Sequence, residues 1–328
     1  MTLPHVPRPN APRRWPAFLI LLVVFVFWAN SFIAVRLLVG EDVPSAERLS
    51  ALEFVEARFA PVAVFCLLWF ALIPSARREA RLLLRRHGVL LLLLAAFNVW
   101  GYNLAFGAGH ERVAAGTGAL IIVLNPILTF LLVVLLGFER ATWRKALGLA
   151  VAFAGIYVVI VYGAHRAVER AYLLDALLLI GAPMSWAVYT VFSKKLLDGA
   201  SALTLNFLIL GIGSLPTLPL LAVDSSFQAK VLAWGPQRLG AALFLAFGCT
   251  LLAFWLWLVA LKRLPATTAA AFVFLNPPLT LCFEWLWFGR TPNSALLLGG
   301  AIVLIGVFLA TRESVPSRSR PPRRPLPE

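Results

Sequence analysis

Apolar residues fill most of this chain in ten long runs, which shorter polar segments separate. Each run approaches the roughly 20 residues that a helix needs to cross the hydrocarbon core of a bilayer. Only helices fit such runs, because backbone polar groups in lipid must find their partners within the same segment. The pattern predicts an all-α integral membrane protein with ten transmembrane helices, over residues 17–39, 52–73, 88–107, 114–136, 146–163, 173–193, 202–222, 238–258, 266–287 and 295–311.

Composition excludes the soluble classes of protein. The chain is 61% hydrophobic and 13% charged, whereas soluble domains are about 45–50% apolar and about 25% charged. The net charge of +14 would suggest nucleic acid on a soluble basic domain. Here the basic residues stand in short segments between apolar runs, so no nucleic-acid partner is expected. Scattered cysteines, and histidines confined to tails and loops, predict neither a metal site nor a cofactor.

The distribution of basic residues predicts the orientation in the membrane. With the N-terminus inside, the inner segments carry most of the 29 lysines and arginines, as the positive-inside rule requires. The tails over 1–16 and 312–328 are then both cytoplasmic. The run over 17–39 is too long for a cleaved signal sequence, so it is interpreted as the first span. The arginine- and alanine-rich usage fits a multi-pass protein of a bacterial inner, or plasma, membrane.

The chain repeats itself at an offset of 151 residues. Leu-Asn-Pro-Ile-Leu-Thr at 124–129 matches Leu-Asn-Pro-Pro-Leu-Thr at 275–280. The same offset aligns Gly148 with Gly299 and Gly155 with Gly306, and an offset of 158 aligns Trp28 with Trp186. The glycines of each pair are two helical turns apart, so a close contact between helices is expected there. We interpret the chain as two five-helix halves, over 17–163 and 173–311.

Five is an odd number of crossings, so the two halves must lie in opposite orientations. The loop after the fourth helix carries Arg140, Arg144 and Lys145, whereas its counterpart after the ninth carries only Arg290. This opposite charge bias is typical of an inverted-topology repeat. Many secondary transporters are built in this way, with the substrate site near the bilayer midplane where the halves meet.

Several short motifs resemble the EamA family of the drug/metabolite transporter superfamily. The resemblance covers residues 17–311 and rests on Trp28–Arg36 in the first helix, Arg58-Phe59 in the second, Pro126 followed by Glu139-Arg140-Ala141-Thr142, and Pro277 with Gly289. It implies ten helices, cytoplasmic termini, and export or exchange of small metabolites such as amino acids. Asn30 lies within the first of these motifs and becomes a candidate substrate-binding residue.

Polar and aromatic residues inside the apolar helices are the other candidates for substrate contact. Pro126 and Pro277 each remove a backbone hydrogen bond, so each is either a hinge or a static kink. The preceding Asn125 and Asn276 line a cavity or bond across helices. Two further groups share a helical face or a repeat position and would form a cavity wall: Asn98 with Tyr102 in the third helix, and Trp28 with Trp186. Trp255 and Trp257 are also candidates for an aromatic cavity wall, but a position at the lipid or its interface is preferred for them.

Charged residues inside the apolar helices mark functional sites by default. Glu284 would bind a substrate amine or a proton, or else pair with Arg36 or Arg58, or lie near the outer interface. Arg36 and Arg58 would reach the headgroups, attract an anion, or pair with Glu53 or Glu56, and pairing is the preferred interpretation for Arg58. Arg36, Arg58 and Glu139 are therefore assigned as structural or gating charges.

Together these features predict a secondary transporter of a small metabolite that works by alternating access, and the family resemblance implies export of an amino acid or a related amine or metabolite. The chain lacks the Gly-x-x-x-x-Gly-Lys-Ser/Thr motif of ATP-driven proteins, so a proton or counter-substrate would supply the driving force. Its partners would be the small molecule and membrane lipid. A membrane sensor or assembly protein that moves no substrate is the alternative. An integral-membrane enzyme is disfavoured, because no cluster of catalytic groups is visible.

Overall fold

A computed structural model describes residues 15–40, 43–105, 122–158, 162, 173–289 and 294–311. Within these ranges every regular element is helical, and the all-α prediction is confirmed for them. In the described part of the chain, six helices are long and apolar enough to cross a membrane, and two shorter apolar helices accompany them. The protein is thus a helical membrane protein.

Most predicted spans coincide with observed helices to within a few residues. The segment 106–121, which holds the start of the predicted fourth span, lies outside the described residues, as do residues 1–14, the tail 312–328 and Arg290. A short helix over Ser225–Leu232 was not predicted. The main helices are α1 (Trp15–Val39), α2 (Ala51–Leu72), α3 (Pro74–Ala105), α4 (Asn125–Leu135), α5 (Trp143–Val158), α6 (Leu173–Leu196), α7 (Ala202–Val223), α8 (Pro236–Arg263), α9 (Ala266–Ala271, Phe272–Leu275 and Asn276–Phe288) and α10 (Ser294–Thr311).

Local sequence signals explain where several helices begin. Ser50 caps α2 in a reciprocal pair of hydrogen bonds with Glu53, which satisfies two free backbone N–H groups. Ser201 caps α7, and Asp224 caps the 225–232 helix through the backbone N–H of Phe227. Pro74 occupies the first turn of α3, where its missing N–H costs nothing.

The segment 74–87 was expected to be a loop, and that expectation is wrong. It is the first part of α3, in which arginines cover an amphipathic face while Ala76, Ala80 and Leu83 are buried. His87, also expected in a loop, lies inside α3 at a kink with φ −136° and ψ 24°. Charged residues extend a helix beyond the hydrocarbon core as readily as they form a loop, so hydropathy alone misplaced this boundary.

Two helices contain wide π-helical turns at positions that correspond in the repeat. They lie at Ala96–Gly101 in α3 and Phe244–Leu252 in α8. When the second is shifted by 151 residues it covers 93–101, so the two segments overlap. Such turns release backbone groups from the regular helical pattern and occur often at functional sites.

The repeated Asn-Pro pairs also mark breaks in helix geometry. Pro126 lies in the first turn of α4, and Pro277 in the first turn of the last segment of α9. The tighter 3₁₀ turn Phe272–Leu275 precedes Pro277. The prolines thus begin helical segments after irregular turns, and they do not interrupt a regular helix as the sequence suggested. Their role as hinges stays a prediction.

Helices α5 and α10 form the most extensive helix pair among the described residues. Their close approach depends on glycines, as predicted. A Cβ atom at Gly155 would lie 2.7 Å from the backbone nitrogen of Val303, and one at Gly306 would lie 2.6 Å from Cα of Ala152. Gly148 packs equally closely on Ala310. The residue numbers rise along one helix as they fall along the other, so the pair is antiparallel.

Hydrogen bonds and ion pairs define two ends of the helical bundle. At the first, which we call the Glu53 end, α1 ends beside the start of α2, and Glu53 bonds Lys230. At the second, the Glu139 end, the loop after α4 bonds Thr267 at the start of α9. Helix α4 runs towards the Glu139 end. Helix α9 starts there and runs to Trp287, which bonds Asn30 on α1.

Candidate functional site

A cluster of aromatic rings occupies the centre of the bundle. Trp28 of α1 and Trp186 of α6 meet edge to face with ring centroids 5.1 Å apart. Trp257 of α8 lies 5.6 Å from the first and 5.7 Å from the second, and Phe254 closes the cluster. The indole N–H of Trp28 donates to the carbonyl of Cys249 at 3.0 Å, inside the π-helical segment of α8.

The structure corrects one prediction about the tryptophans. Trp257 was expected to face lipid or the interface, yet it is fully buried between Trp28 and Trp186. Trp255, two residues earlier, is only half-buried. Helix α8 is apolar on nearly every side around these residues, so its sequence gives no sign of which face turns inwards.

Arg58 of α2 reaches towards the same centre. Its Nε donates to the hydroxyl of Thr250 on α8 at 2.8 Å, and its Nη1 donates to the amide oxygen of Asn103 on α3 at 3.4 Å. The prediction that Arg58 forms an ion pair with Glu53 or Glu56 is wrong. Glu53 bonds Lys230, and both carboxylate oxygens of Glu56 have no hydrogen-bond partner among the described residues.

The two π-helical segments set the position of these Arg58 partners. Thr250 donates its own hydroxyl hydrogen to the carbonyl of Leu245, five residues earlier, and so its oxygen accepts from Arg58. Asn103 donates to the carbonyl of Val99 at 2.7 Å, which leaves its amide oxygen facing the guanidinium. Both were missed as partners of Arg58, although each is a polar residue in an otherwise apolar helix.

The remaining third-helix candidates lie on the same side of the bundle. Tyr102 lies close to Arg58, and its ring centroid is 6.0 Å from that of Trp186. Asn98 is buried, and neither its amide nitrogen nor its amide oxygen has a hydrogen-bond partner among the described residues. A buried amide without a hydrogen-bond partner costs about 1–3 kcal/mol of free energy, and a polar ligand that bonds Asn98 would recover that cost.

The repeated asparagines also keep free acceptors inside the protein. Asn125 donates to the carbonyl of Pro183 at 3.1 Å, three residues before Trp186. Its amide oxygen and that of Asn276 are buried without partners in the described part of the chain. Near Asn276, Thr280 donates to the carbonyl of Ala29, which adjoins Trp28. Both asparagines therefore lie on helices that contact the aromatic centre.

Two predicted site residues, Asn30 and Arg36, do not belong to this centre. Asn30 lines an open groove of about 400 Å³ between α1, the start of α8 and Trp287, whose exposure is 69%. The groove is almost wholly apolar, and the indole of Trp287 donates to Asn30 at 3.2 Å. Arg36 is exposed near the end of α1. Glu284 belongs to α9, but its side chain lies outside the described residues, so its role stays a prediction.

Glu139 fastens the α4–α5 loop to α9. Its carboxylate accepts from the Thr267 hydroxyl and from Lys145, whose ammonium lies 2.9 Å away. Burial alone raises the pKa of Glu139, but the bonds from Thr267 and Lys145 outweigh burial, and the pKa is lowered below its usual value of 4.5. The group is therefore ionised at neutral pH, as a structural or gating charge would be.

The Glu53 end is held by a matching set of charges. Lys230 donates to both carboxylate oxygens of Glu53, at 2.7 and 2.8 Å. The Ser226 hydroxyl also donates to Glu53 at 3.1 Å, and Arg238 pairs with Glu47. Both ends of the bundle are thus closed by polar contacts that link the segments before and after residue 172.

Comparison with known proteins identifies the family. The sequence profile of the EamA-like transporter family matches the chain in two segments, 15–161 and 173–312. The chain belongs to this family. The prediction of a membrane transporter for small metabolites is confirmed by this membership.

Relatives and a solved structure agree with that assignment. A "probable terminal-alkyne amino-acid exporter" of Streptantibioticus cattleyicolor is 29% identical over 93% of this chain and 97% of its own. A "probable amino-acid metabolite efflux pump" of Salmonella typhimurium is 24% identical over 90% of this chain and 94% of its own. One crystal structure superposes with a TM-score of 0.67 over 91% of this chain and 97% of its own, at 20% identity, and so shares the fold.

Proposed function

We propose that this EamA-like transporter is built from ten helices as two inverted five-helix repeats, 17–163 and 173–311. The α5–α10 contact supports the proposal. Gly155 packs on Val303, and Gly306 packs on Ala152. Both Gly155 with Gly306 and Ala152 with Val303 are 151 residues apart, so the repeat offset converts one contact into the other. A two-fold relation between the halves produces such reciprocal contacts.

The same relation locates the axis between the halves. A residue that lies on a two-fold axis contacts its own equivalent. Trp28 and Trp186 are equivalent at the repeat offset of 158, and their rings are in contact. Helices α4 and α9, which are also equivalent, run in opposite directions between the two ends. The tryptophan pair therefore marks the centre of the molecule, where inverted-repeat transporters bind substrate.

In this arrangement the Glu139 end faces the cytoplasm. It carries the basic first turns of α3 and the lysines at the end of α6, in agreement with the positive-inside rule. Both tails, 1–16 and 312–328, are then cytoplasmic, and the protein lies in the inner membrane. Cysteines placed near residues 140 and 290 should react from opposite faces of the membrane. Labelling from one face would exclude the inverted repeat.

Transport by alternating access requires that each end opens in turn. The polar contacts of Glu139 with Thr267 and Lys145 would close the cytoplasmic end, and those of Glu53 with Lys230 would close the outer end. Such contacts can exchange for water at modest cost when an end opens, unlike the apolar packing of the core. Pro126 and Pro277, which begin helical segments after irregular turns, are the proposed hinges.

The substrate is an amino acid or a closely related metabolite, which the protein exports. Arg58 carries this proposal, because it is a cation at the centre of a membrane protein. Its side chain bonds Thr250 and Asn103, and no carboxylate among the described residues pairs with it. A guanidinium presents five N–H donors in a planar fork, so a substrate carboxylate completes its coordination. The free amide oxygens of Asn125 and Asn276 would accept the substrate ammonium, and Trp28 and Trp186 would cover its side chain.

Counterflow in proteoliposomes tests this assignment. Protein preloaded with one amino acid should take up labelled amino acids, and amines that lack a carboxylate should be poor substrates. Arg58→Gln should reduce amino-acid flux about 10- to 100-fold, because a charge-assisted hydrogen bond contributes about 1.5–3 kcal/mol. Arg263→Gln, at the exposed end of α8, removes an equal charge away from the centre and should leave flux unchanged.

Two results would contradict the proposal. If Arg58→Gln transports amino acids at the wild-type rate, the guanidinium does not bind substrate. If folded wild-type protein shows no flux with amino acids, amines or sugar phosphates, the assigned substrate class is wrong.

A further inference from the structure

Glu56 is an acidic group buried inside the protein. It lies on α2, about one turn inside the Glu53 end, and its exposure is 0%. Neither carboxylate oxygen has a hydrogen-bond partner within the described part of the chain. The other described carboxylates with printed contacts behave differently: Glu53, Glu79 and Glu139 each accept several hydrogen bonds.

The charges around Glu56 do not compensate it. Its electrostatic neighbours are Asp224, from the end of α7, and Glu53, from its own helix, and both are acidic. Asp224 caps the 225–232 helix, so its carboxylate is already engaged. The nearby cations are engaged as well. Lys230 holds Glu53, Arg238 of α8 holds Glu47, and Arg58 bonds Thr250 and Asn103.

A carboxylate in this position would be a buried, unpaired negative charge beside two others. Proteins avoid that state, because removing such a charge from water is costly without a partner that compensates it. A bound proton cancels the charge without changing the packing. Opening of the Glu53 end would bring water to the carboxyl group and allow it to ionise.

We propose that Glu56 is a proton-binding site, and that proton uptake at Glu56 is coupled to closure of the Glu53 end. The closed structure holds Glu56 as the neutral acid, and the open structure releases the proton to water. The inference rests on the alternating-access part of the proposed function and is independent of the substrate. With the Glu53 end on the outer face, an acidic exterior favours closure of that end.

An infrared titration tests the protonation state directly. Purified protein at neutral pH should show the carbonyl stretch of a protonated carboxyl group, and Glu56→Gln should lose that band. The matched control is Glu47→Gln, because Glu47 lies at the same end but is half exposed and paired with Arg238. Glu47→Gln should retain the band. Identical spectra for Glu56→Gln and the wild-type protein would overturn the proposal.

The coupling to closure is measured separately, without substrate. In protein that lacks the native cysteines, Ala242→Cys places a thiol at a buried position of α8, where this part of α8 packs on α2. The rate at which this thiol is alkylated should rise with pH. The rate is divided by that of an exposed reference cysteine, which corrects for the ionisation of the thiol itself. One linked proton permits a change in the ratio of open to closed protein of up to about tenfold per pH unit.

Glu56→Gln mimics the protonated acid, so its alkylation should stay slow at every pH after the same correction. Glu47→Gln should follow the wild-type dependence on pH. A pH-independent wild-type profile, or a Glu56→Gln profile like that of the wild-type protein, would refute the coupling. These outcomes do not depend on Arg58 or on amino-acid flux, so the coupling can fail while the proposed substrate assignment holds.

Discussion

Alanine at Gly306 should destabilise the protein, because it forces α5 and α10 apart. The new Cβ would lie 2.6 Å from both Cα and Cβ of Ala152. Backbone atoms cannot move away as a side chain can, and overpacking of this kind costs about 1–3 kcal/mol. Alanine also has a higher helix propensity than glycine by about 0.8–1.0 kcal/mol, which offsets part of that cost.

Gly240→Ala measures the effect of helix propensity on stability without the overpacking. Gly240 lies within the helix Pro236–Leu243, and a Cβ there would meet no atom within 4 Å. Gly306→Ala should therefore be less stable than Gly240→Ala by about 1–3 kcal/mol, which equals the overpacking cost alone. Gly155→Ala should match Gly306→Ala, because the repeat relates their contacts.

The measurement is reversible unfolding of purified protein in mixed detergent micelles, with added SDS as the denaturant. The wild-type protein and the three alanine variants are compared by their free energies of unfolding. If Gly306→Ala unfolds at the same SDS fraction as Gly240→Ala, the helices are not in the contact described. If Gly155→Ala and Gly306→Ala differ widely, the reciprocal contact across the repeat is wrong.

Three further predictions concern the polar contacts. Glu139→Gln should remove stability that the wild-type protein has above a pH of about 4.5. Because the pKa of Glu139 is lowered in the folded protein, the wild-type protein loses this stability only as the pH falls through that lowered pKa. The thermal midpoints of the two proteins should therefore converge in acid. Trp28→Phe should cost about 0.5–1.5 kcal/mol in SDS unfolding, the contribution of its bond to Cys249, and no loss would contradict that bond. A double-mutant cycle of Glu47→Gln and Arg238→Gln should give a coupling of only about 0.2–1 kcal/mol, because Glu47 is half exposed and water screens the pair, and a much larger value would require a buried pair.

Hydropathy and self-comparison were sufficient to predict the helices, because both depend on patterns that extend over many residues. A run such as 17–39 is apolar throughout, and only a helix satisfies its backbone in lipid. The glycine contact was also predictable, because Gly148 and Gly155 recur at 299 and 306 with helical spacing. The boundary of α3 was not, because an arginine-rich segment forms either a helix or a loop at a membrane surface.

The central site was less predictable, since it depends on which side of each helix faces inwards. Glu56 and Arg58 are two residues apart on α2 and point to opposite sides of the helix, so they could not pair. Nothing in the sequence predicts the π-helical turns, which place Thr250 and Asn103 around Arg58. π-helical turns are rare within helices, so a pattern of apolar residues predicts a regular α-helix in their place.

The contacts between the two halves divide into a rigid kind and a breakable kind. The glycine contact of α5 with α10 buries backbone against backbone, and any separation would forfeit close packing along the whole pair. The contacts at the two ends are hydrogen bonds and ion pairs, which water can replace. A transporter with this distribution would keep α5 and α10 together as a scaffold while its ends open alternately. Covalent cross-linking of α5 to α10 should therefore preserve transport, whereas cross-linking α2 to the 225–232 helix should abolish it.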